Sequence, residues 1–217
     1  MSDAQPPQPF VPKAAISRLS LYLRELQQLI RNGDERTSST KLGALLGFTD
    51  AQVRKDLAHF GQFGTPGIGY RCADLIDAIR AILGTNRPWP VAVVGMGNLG
   101  RALVGYGGFA QQGFKITVGF DVDPRMVGST IENIPVHHLD ELAKITAAAG
   151  IKMAIMAVPA AAAQQVADRL VQAGIEGILN FAPVTISVPN AVSQVGVDVA
   201  IELEQLSYAI VTKLQNS

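Results

Sequence analysis

From residue 13 to residue 31, Ile16, Leu19, Leu23, Leu26 and Ile30 recur at steps of three and four, which places them on one face of a helix. Asn32 and Gly33 end that run. A second, short helix is predicted from about 39 to 46. It buries Leu42, Leu45 and Leu46 and is closed by Gly47 as a C-terminal cap. After a very brief turn Thr49 and Gln52 form a capping box, and Val53, Leu57 and Phe60 give the third helix a single narrow apolar stripe. Residues 61–71 combine Gly61, Gly64, Pro66, Gly67 and Gly69 with the aromatics Phe63 and Tyr70, a pattern that reads as a small β-hairpin. A fourth amphipathic helix uses Leu75, Ile76, Ile79, Ile82 and Leu83, and a Gly-Thr-Asn-Arg-Pro linker follows at 84–88.

This is the order of a winged helix: helix, tight turn, helix, wing. The third helix turns Gln52, Arg54, Lys55 and His59 outward, side chains that suit base edges and phosphates in a DNA major groove. A solvated helix in an all-helical module would show the same periodicity. Charge adds a modest bias. The chain is neutral overall, with 18 basic and 18 acidic residues, but residues 1–85 carry 10 basic against 8 acidic groups.

The period then changes. The continuous apolar run from Val91 to Val94 is too short for a helix, and it leads directly into Gly95-Met96-Gly97-Asn98-Leu99-Gly100. Between a buried strand and a helix, this Gly-x-Gly-x-x-Gly spacing marks a dinucleotide turn. Gly95 permits the tight turn, Gly97 admits the pyrophosphate to the backbone, and Gly100 lets helix and strand pack closely. A second strand ends at Asp121, 26 positions after Gly95 and somewhat beyond the ~20 of the common fingerprint. A carboxylate there accepts hydrogen bonds from ribose hydroxyls and repels a 2′-phosphate, which favours NAD(H) over NADP(H). Arg125 is the nearby cation that could argue otherwise, and Asp123 reads chiefly as a cap on the turn before Pro124.

Strands and helices alternate through the rest: a strand at Val136, a helix near 138–149, a strand over 153–158, a helix to about 173 and a strand at 177–180. The predicted architecture is therefore α/β, a winged-helix domain followed by a doubly wound parallel sheet of the Rossmann type. Ala157 and Val158 at the end of one strand and Pro159 just past it, with Val122 and the Asn180-Phe181-Ala182-Pro183 turn after others, fall on the carboxyl edge where ligands bind. They are the candidate lining of the cofactor pocket, with plain turn chemistry as the competing explanation.

A dehydrogenase would also need a substrate domain and a proton donor or acceptor. Residues 86–217 amount to about one nucleotide-binding domain and a tail, and His137 and His138 sit where a helix begins, a place for capping more than catalysis. Cofactor binding without catalytic groups points to a sensor; a small reductase is the competing hypothesis. The sequence predicts no metal site. No run approaches the ~18 consecutive apolar residues of a membrane span. Four of the twelve prolines lie in residues 1–12, which predicts a disordered tail and not a signal peptide, and the lone Cys72 fits a reducing cytoplasm.

Toward the C-terminus, Val199, Leu203, Leu206 and Ile210 cluster on one side of a helical wheel, while Ile201 and Tyr208 lie nearly opposite. Two apolar faces need two partners, so the helix is expected to insert between the subunits of a two-fold homodimer. Such a dimer would set two winged modules on the half-sites of an inverted repeat.

With these residues in view, the chain resembles the Rex family of redox-sensing transcriptional repressors over about residues 13–214. The likeness rests on Ala15-Ile16-Ser17-Arg18-Leu19, Ala51 to Leu57, the Gly67-x-Gly69-Tyr70 wing, Gly95 to Gly100, Phe120 to Pro124, and Leu179 to Pro183. The resemblance implies a homodimer that holds double-stranded operator DNA when NAD⁺ is high and leaves it when NADH accumulates, with the C-terminal helix swapped into the neighbouring subunit. It implies DNA contacts from Gly67, Gly69 and Tyr70 besides the third helix, a switch containing Arg18 and Asp198, and Tyr106 near the nicotinamide. Arg18 as a phosphate contact is an equal alternative. Where such wings usually carry a basic residue this one has Thr65-Pro66. The expected domains are a tail at 1–12, the winged helix at 13–85, an NAD(H)-binding Rossmann domain at 86–198 and a dimerisation helix at 199–217. No further protein partner is implied.

Overall fold

A computed structural model describes residues 12–64 and 68–215, in two compact units, residues 1–87 and 88–217. In the first unit, α1 (Lys13–Arg31), α2 (Ser39–Leu46), α3 (Asp50–Ala58) and α4 (Cys72–Leu83) enclose one core, with the two-residue strands β1 (Arg36–Thr37) and β2 (Tyr70–Arg71) at its edge. The buried face of α1 differs from the expectation. Ala15, Leu19, Tyr22, Leu26 and Leu29 line the core, while Ile16 and Ile30 are each 43% exposed. Both sets step by three and four, and packing against α2 to α4 selects the stripe that includes the large Tyr22. Leu45 of α2 is likewise exposed, leaving Leu42 as that helix's buried leucine.

The turn between α2 and α3 closes because Gly43 carries no side chain: a Cβ there would lie 2.5 Å from the Phe48 carbonyl oxygen. Ser38 accepts from the Lys41 N–H and Thr49 from the Gln52 N–H, capping α2 and α3. Only half of the expected capping box forms, since the Gln52 amide turns to Asp56 instead of back to Thr49. The wing is also built differently. Its strand β2 pairs antiparallel with β1, ahead of α2, in the register Arg36 with Arg71 and Thr37 with Tyr70. Residues 61–64, the arm the hairpin required, are loop, and Thr65, Pro66 and Gly67 lie outside the described residues, as do residues 1–11 of the expected tail.

The second unit is a seven-stranded sheet. Its strands are β3 (Trp89–Val94), β4 (Phe114–Asp121), β5 (Thr130–Ile131), β6 (Ile134–His138), β7 (Met153–Met156), β8 (Gly177–Asn180) and β9 (Ser193–Gly196). The spatial order is β5-β6-β4-β3-β7-β8-β9, parallel throughout except for β5 at the edge. Apart from β5 this is the order of the dinucleotide-binding fold, which reverses direction beside β3 and leaves a crevice at the carboxyl ends there. α5 (Asn98–Val104) and α6 (Gly108–Gln111) connect β3 to β4, α7 (Leu142–Ala148) follows β6, and α8 (Ala160–Gln172) joins β7 to β8. Apolar clusters fill both faces of the sheet, one around Phe120, Met156 and Leu170 and the other around Val93, Met96 and Ile155.

The helix expected near 138–149 begins only at Leu142, because His138 ends β6 and caps a 3₁₀ turn, its Nδ1 accepting from the Asp140 N–H at 3.3 Å. The strand expected over 153–158 stops at Met156. The edge strand β9 carries no hydrophobic alternation and was not expected. α9 (Val199–Gln215) ends the chain, and Val199, Leu203, Leu206 and Ile210 on one side and Ile201 and Tyr208 on the other are each at least half exposed.

Phe120 lies wholly buried in the middle of the sheet. Replacing it with alanine should destabilise this unit by about 3–5 kcal/mol, measured by denaturant unfolding with fluorescence of Trp89, the chain's one tryptophan.

Candidate functional site

The glycine turn joins β3 to α5 at the reversal point of the sheet, and two backbone approaches shape it. Gly95, at φ +90°, passes Ala157 so closely that a Cβ would lie 2.4 Å from its carbonyl oxygen. Gly100 packs beneath the turn, where a Cβ would meet the Gly95 carbonyl oxygen. Gly97 is different. Nothing lies within 4 Å of its would-be Cβ, so the absence of a side chain there keeps space open over the backbone.

Asp121 ties the turn to the end of β4. Its Oδ2 accepts from the Met96 N–H at 2.6 Å, and Oδ1 accepts from the N–H groups of Val122 and Asp123 at 2.7 and 2.9 Å. A carboxylate has about four acceptor positions, so one stays free at the crevice wall. Asp123 closes the next turn by accepting from the Arg125 N–H, and it also holds the Arg125 guanidinium at 2.6 Å. Those bonds keep its carboxyl at about 2, well below the usual carboxylate range, and they pair Arg125 with an acid.

Gly95, Met96, Gly97, Asn98, Leu99, Asp121, Val122, Ala157, Val158 and Pro159 all line one crevice of about 920 Å³. Arg125, Gln165 and Arg169 also line it, although nothing in the sequence singled out the last two. They sit on α8, which only the sheet order brings to this edge. Arg169 donates to Asp140 and to the Leu139 carbonyl, fastening α8 to the end of β6.

The remaining cofactor candidates stand elsewhere in this unit. Asn180, Ala182 and Pro183 line a second hollow of about 470 Å³ with Asp198, Ile201 and Glu202. Asn180 is buried and spends its amide on the turn, donating to the Val184 carbonyl and accepting from the Ala182 N–H. Phe181 packs partly buried against the cluster around Met96. Asp198 caps α9 by accepting from the Ala200 N–H at 2.9 Å. Tyr106 is 60% exposed, set edge-on to Phe109 with ring centres 5.0 Å apart.

In the first unit Lys55 is exposed and Arg54 projects from α3 while bonded to Asp50 at 2.7 Å. His59 is half-buried, its ring edge-on to Phe60. Gly69, at φ +81°, passes too close to the Thr37 carbonyl for any side chain, and Tyr70 is half-buried in β2. Arg18 does not project freely. Its Nε and Nη2 donate to Oδ2 and Oδ1 of Asp56 at 2.5 and 2.8 Å, and Asp56 is 1% exposed. Tyr22 donates its hydroxyl to the same carboxylate at 2.8 Å and Gln52 its amide at 2.7 Å. Burial raises the Asp56 carboxyl's proton affinity, but the bonds from Arg18, Tyr22 and Gln52 outweigh it and hold the group below its ordinary value. Burial and the bond to Asp56 push the Tyr22 hydroxyl up. Reading the sequence missed Asp56, yet the signal was present: a carboxylate three residues after Val53, on the buried side of the stripe.

A helix-turn-helix unit joined to a Rossmann-type nucleotide-binding fold is the class these two parts define. The comparisons agree at each level. Residues 10–58 match a family model described as a putative DNA-binding protein N-terminus, and residues 86–184 one described as a CoA binding domain. The redox-sensing transcriptional repressor Rex of Syntrophobacter fumaroxidans is 46% identical over 199 residues, covering 91% of this chain and 95% of that protein. Rex of Carboxydothermus hydrogenoformans is 47% identical over 92% of this chain and 96% of its own length. Among solved structures, RSP, a Rex-family repressor, in complex with β-NAD⁺ and operator DNA superposes with a TM-score of 0.88 at 35% identity, covering 96% of this chain and 98% of that one. RSP in complex with β-NADH gives 0.86 at 34%, covering 95% and 97%. The chain belongs to the Rex family of redox-sensing transcriptional repressors.

The depressed Asp56 carboxyl has a defined consequence for stability. Its contribution is fully present above the ordinary carboxylate value near pH 4 and is lost as pH falls from there through the lowered folded value, because the unfolded chain takes up the proton first. Acid unfolding of wild type against Asp56→Asn, followed by circular dichroism, should show the two converging below pH ~4 and wild type the more stable above it.

Proposed function

We propose that this chain is an NADH/NAD⁺-responsive transcriptional repressor of the cytoplasm that binds inverted-repeat operator DNA as a homodimer and is released when NADH binds. The observation that carries this reading is the presence, in one chain, of an open glycine-turn crevice and a capped helix-turn-helix, aligned over nearly its whole length with a relative held on both NAD⁺ and operator DNA. No helix among the described residues is long and apolar enough to cross a membrane.

In this reading residues 13–85 are the DNA-binding domain, 86–198 the NAD(H)-binding domain and 199–217 the helix exchanged between subunits. Backbone N–H groups of the turn at Gly97 to Leu99 take the pyrophosphate. The free acceptor position of Asp121 takes a ribose hydroxyl, and Asp123 engages Arg125, the cation next to that carboxylate in sequence, so that it is not free for a 2′-phosphate. Ala157, Val158 and Pro159, with the 180–183 turn, flank the nicotinamide end. Gln52, Arg54, Lys55 and His59 face DNA, with Gly67, Gly69 and Tyr70 in the wing. The exposed apolar faces of α9 support the dimer, since each is covered only when the helix is gripped on both sides.

The two cofactor forms differ by a hydride and a ring charge. Only a difference in their affinity for two arrangements of the protein can move the DNA equilibrium. A coupling of about 1–3 kcal/mol would change DNA affinity roughly 5–150-fold, and linkage requires DNA to weaken NADH binding by the same factor. Arg18, Tyr106 and Asp198 are the residues proposed to carry that coupling. The Arg18–Asp56 pair gives Arg18 a defined resting partner on the DNA-binding helix itself.

The decisive experiment titrates NADH and NAD⁺ separately into this protein on an inverted-repeat DNA fragment, read by fluorescence anisotropy. Release by NADH alone is expected; indifference to both, together with acceptor-dependent oxidation of NADH, would favour a reductase. In the same assay Asp198→Ala should alter the NADH response and leave DNA affinity within about threefold, whereas an unchanged response would remove Asp198 from the switch.

A further inference from the structure

The Asp56 carboxylate is saturated. Oδ2 accepts from Arg18 Nε and the Tyr22 hydroxyl, while Oδ1 accepts from Arg18 Nη2 and Gln52 Nε2. Three of these four bonds come from α1 and stake α3 to the core. The fourth reaches out along α3, from a buried residue to one placed in the first turn, where a helix lying in a major groove meets base edges.

That fourth bond settles the orientation of the Gln52 amide. A carboxylate only accepts, so the NH₂ and not the carbonyl must face Asp56. One N–H is used there. The other N–H and Oε1 are not spent on Asp56, no protein group among the described residues donates to Oε1, and Gln52 is itself part-exposed, which leaves that pair for a partner outside the chain. A donor and an acceptor side by side on one planar group complement the major-groove edge of adenine, which offers the N7 acceptor beside the N6 donor. A free glutamine would have to give up rotamer freedom to form that pair, and its amide could face either way; this one is held in place beforehand.

We propose that Asp56 is a specificity-setting positioning residue: it fixes Gln52 with its donor–acceptor pair outward, so that α3 selects an adenine at one position of each half-site. The proposal rests on the DNA-binding reading above. It separates two jobs on the same helix, in which Arg54 and Lys55 supply affinity that any sequence can satisfy, whereas Asp56, without touching DNA, decides which base is accepted next to Gln52.

The test is selection from a double-stranded library of randomised inverted repeats by wild type, Gln52→Ala and Asp56→Asn, with folding checked by circular dichroism. Wild type should enrich adenine at one position per half-site by about 5- to 150-fold over the other bases. Gln52→Ala should flatten that position alone, and Asp56→Asn should flatten the same position while the others keep their ranking. A uniform loss of affinity in Asp56→Asn with the adenine preference intact would overturn the positioning role and leave Asp56 merely structural. A Gln52→Ala profile identical to wild type would overturn the proposal outright, even if Asp56→Asn does not fold. Enrichment of no sequence by wild type would instead refute the DNA-binding reading on which both stand.

Discussion

Backbone meets backbone at the glycine turn, and the second unit is organised around that approach. β3 ends with Gly95 pressed against the Ala157 carbonyl and Gly100 pressed against Gly95 itself, distances that no Cβ tolerates. Because the connections that leave β3 and β7 run to opposite faces of the sheet, through α5 and α8, a crevice opens above the carboxyl ends of the two paired strands. Asp121 then locks the geometry by taking the Met96 N–H from the neighbouring strand end. A crevice made this way needs few side chains. Its floor is peptide groups whose direction the sheet dictates, and Gly97, with empty space above it, leaves them open.

The first unit meets its requirement by the opposite means. Its core is small, and α3 is nine residues long, too short to be stable alone. Thr49 caps it, Gly43 lets α2 approach it, and Asp56 bolts it to α1 through Arg18 and Tyr22. A buried carboxylate is costly unless fully bonded, so the cluster forms as a whole or not at all. Such a contact is narrow and directional, and its exposed end is the guanidinium of Arg18, 23% accessible.

Much of this was legible in the chain of letters. The apolar period of 3.6 marked the four helices of the first unit, the Val91–Val94 run with the spaced glycines marked the nucleotide turn, and alternating strands and helices implied a parallel sheet. These are local properties: a step of 100° per residue, a residue lacking Cβ, a carboxylate at a strand end. The same reasoning identified the apolar stripes of α9, because an amphipathic pattern with two faces is visible without knowing what covers them.

What the letters left open was which of several locally equivalent choices the packed chain makes. Ile16 and Ile30 satisfy the helical period as well as Ala15 and Leu29 do, and only the positions of α2 to α4 decide which set is buried. Tyr70–Arg71 could pair within residues 61–71 or with Arg36–Thr37, and the latter wins because it lies against the same core. β9 has no hydrophobic alternation to announce it, since it borrows its order from β8. Asp56 carried no assignment in the sequence reading, and its burial is favourable only because Arg18 and Tyr22 of α1 donate three bonds to it, while Arg169 and Gln165 reached the crevice only through the sheet order. Periodicity and stereochemistry are written residue by residue; the choice among partners far apart in the chain belongs to the free energy of the assembled fold, where one element's best face depends on every other.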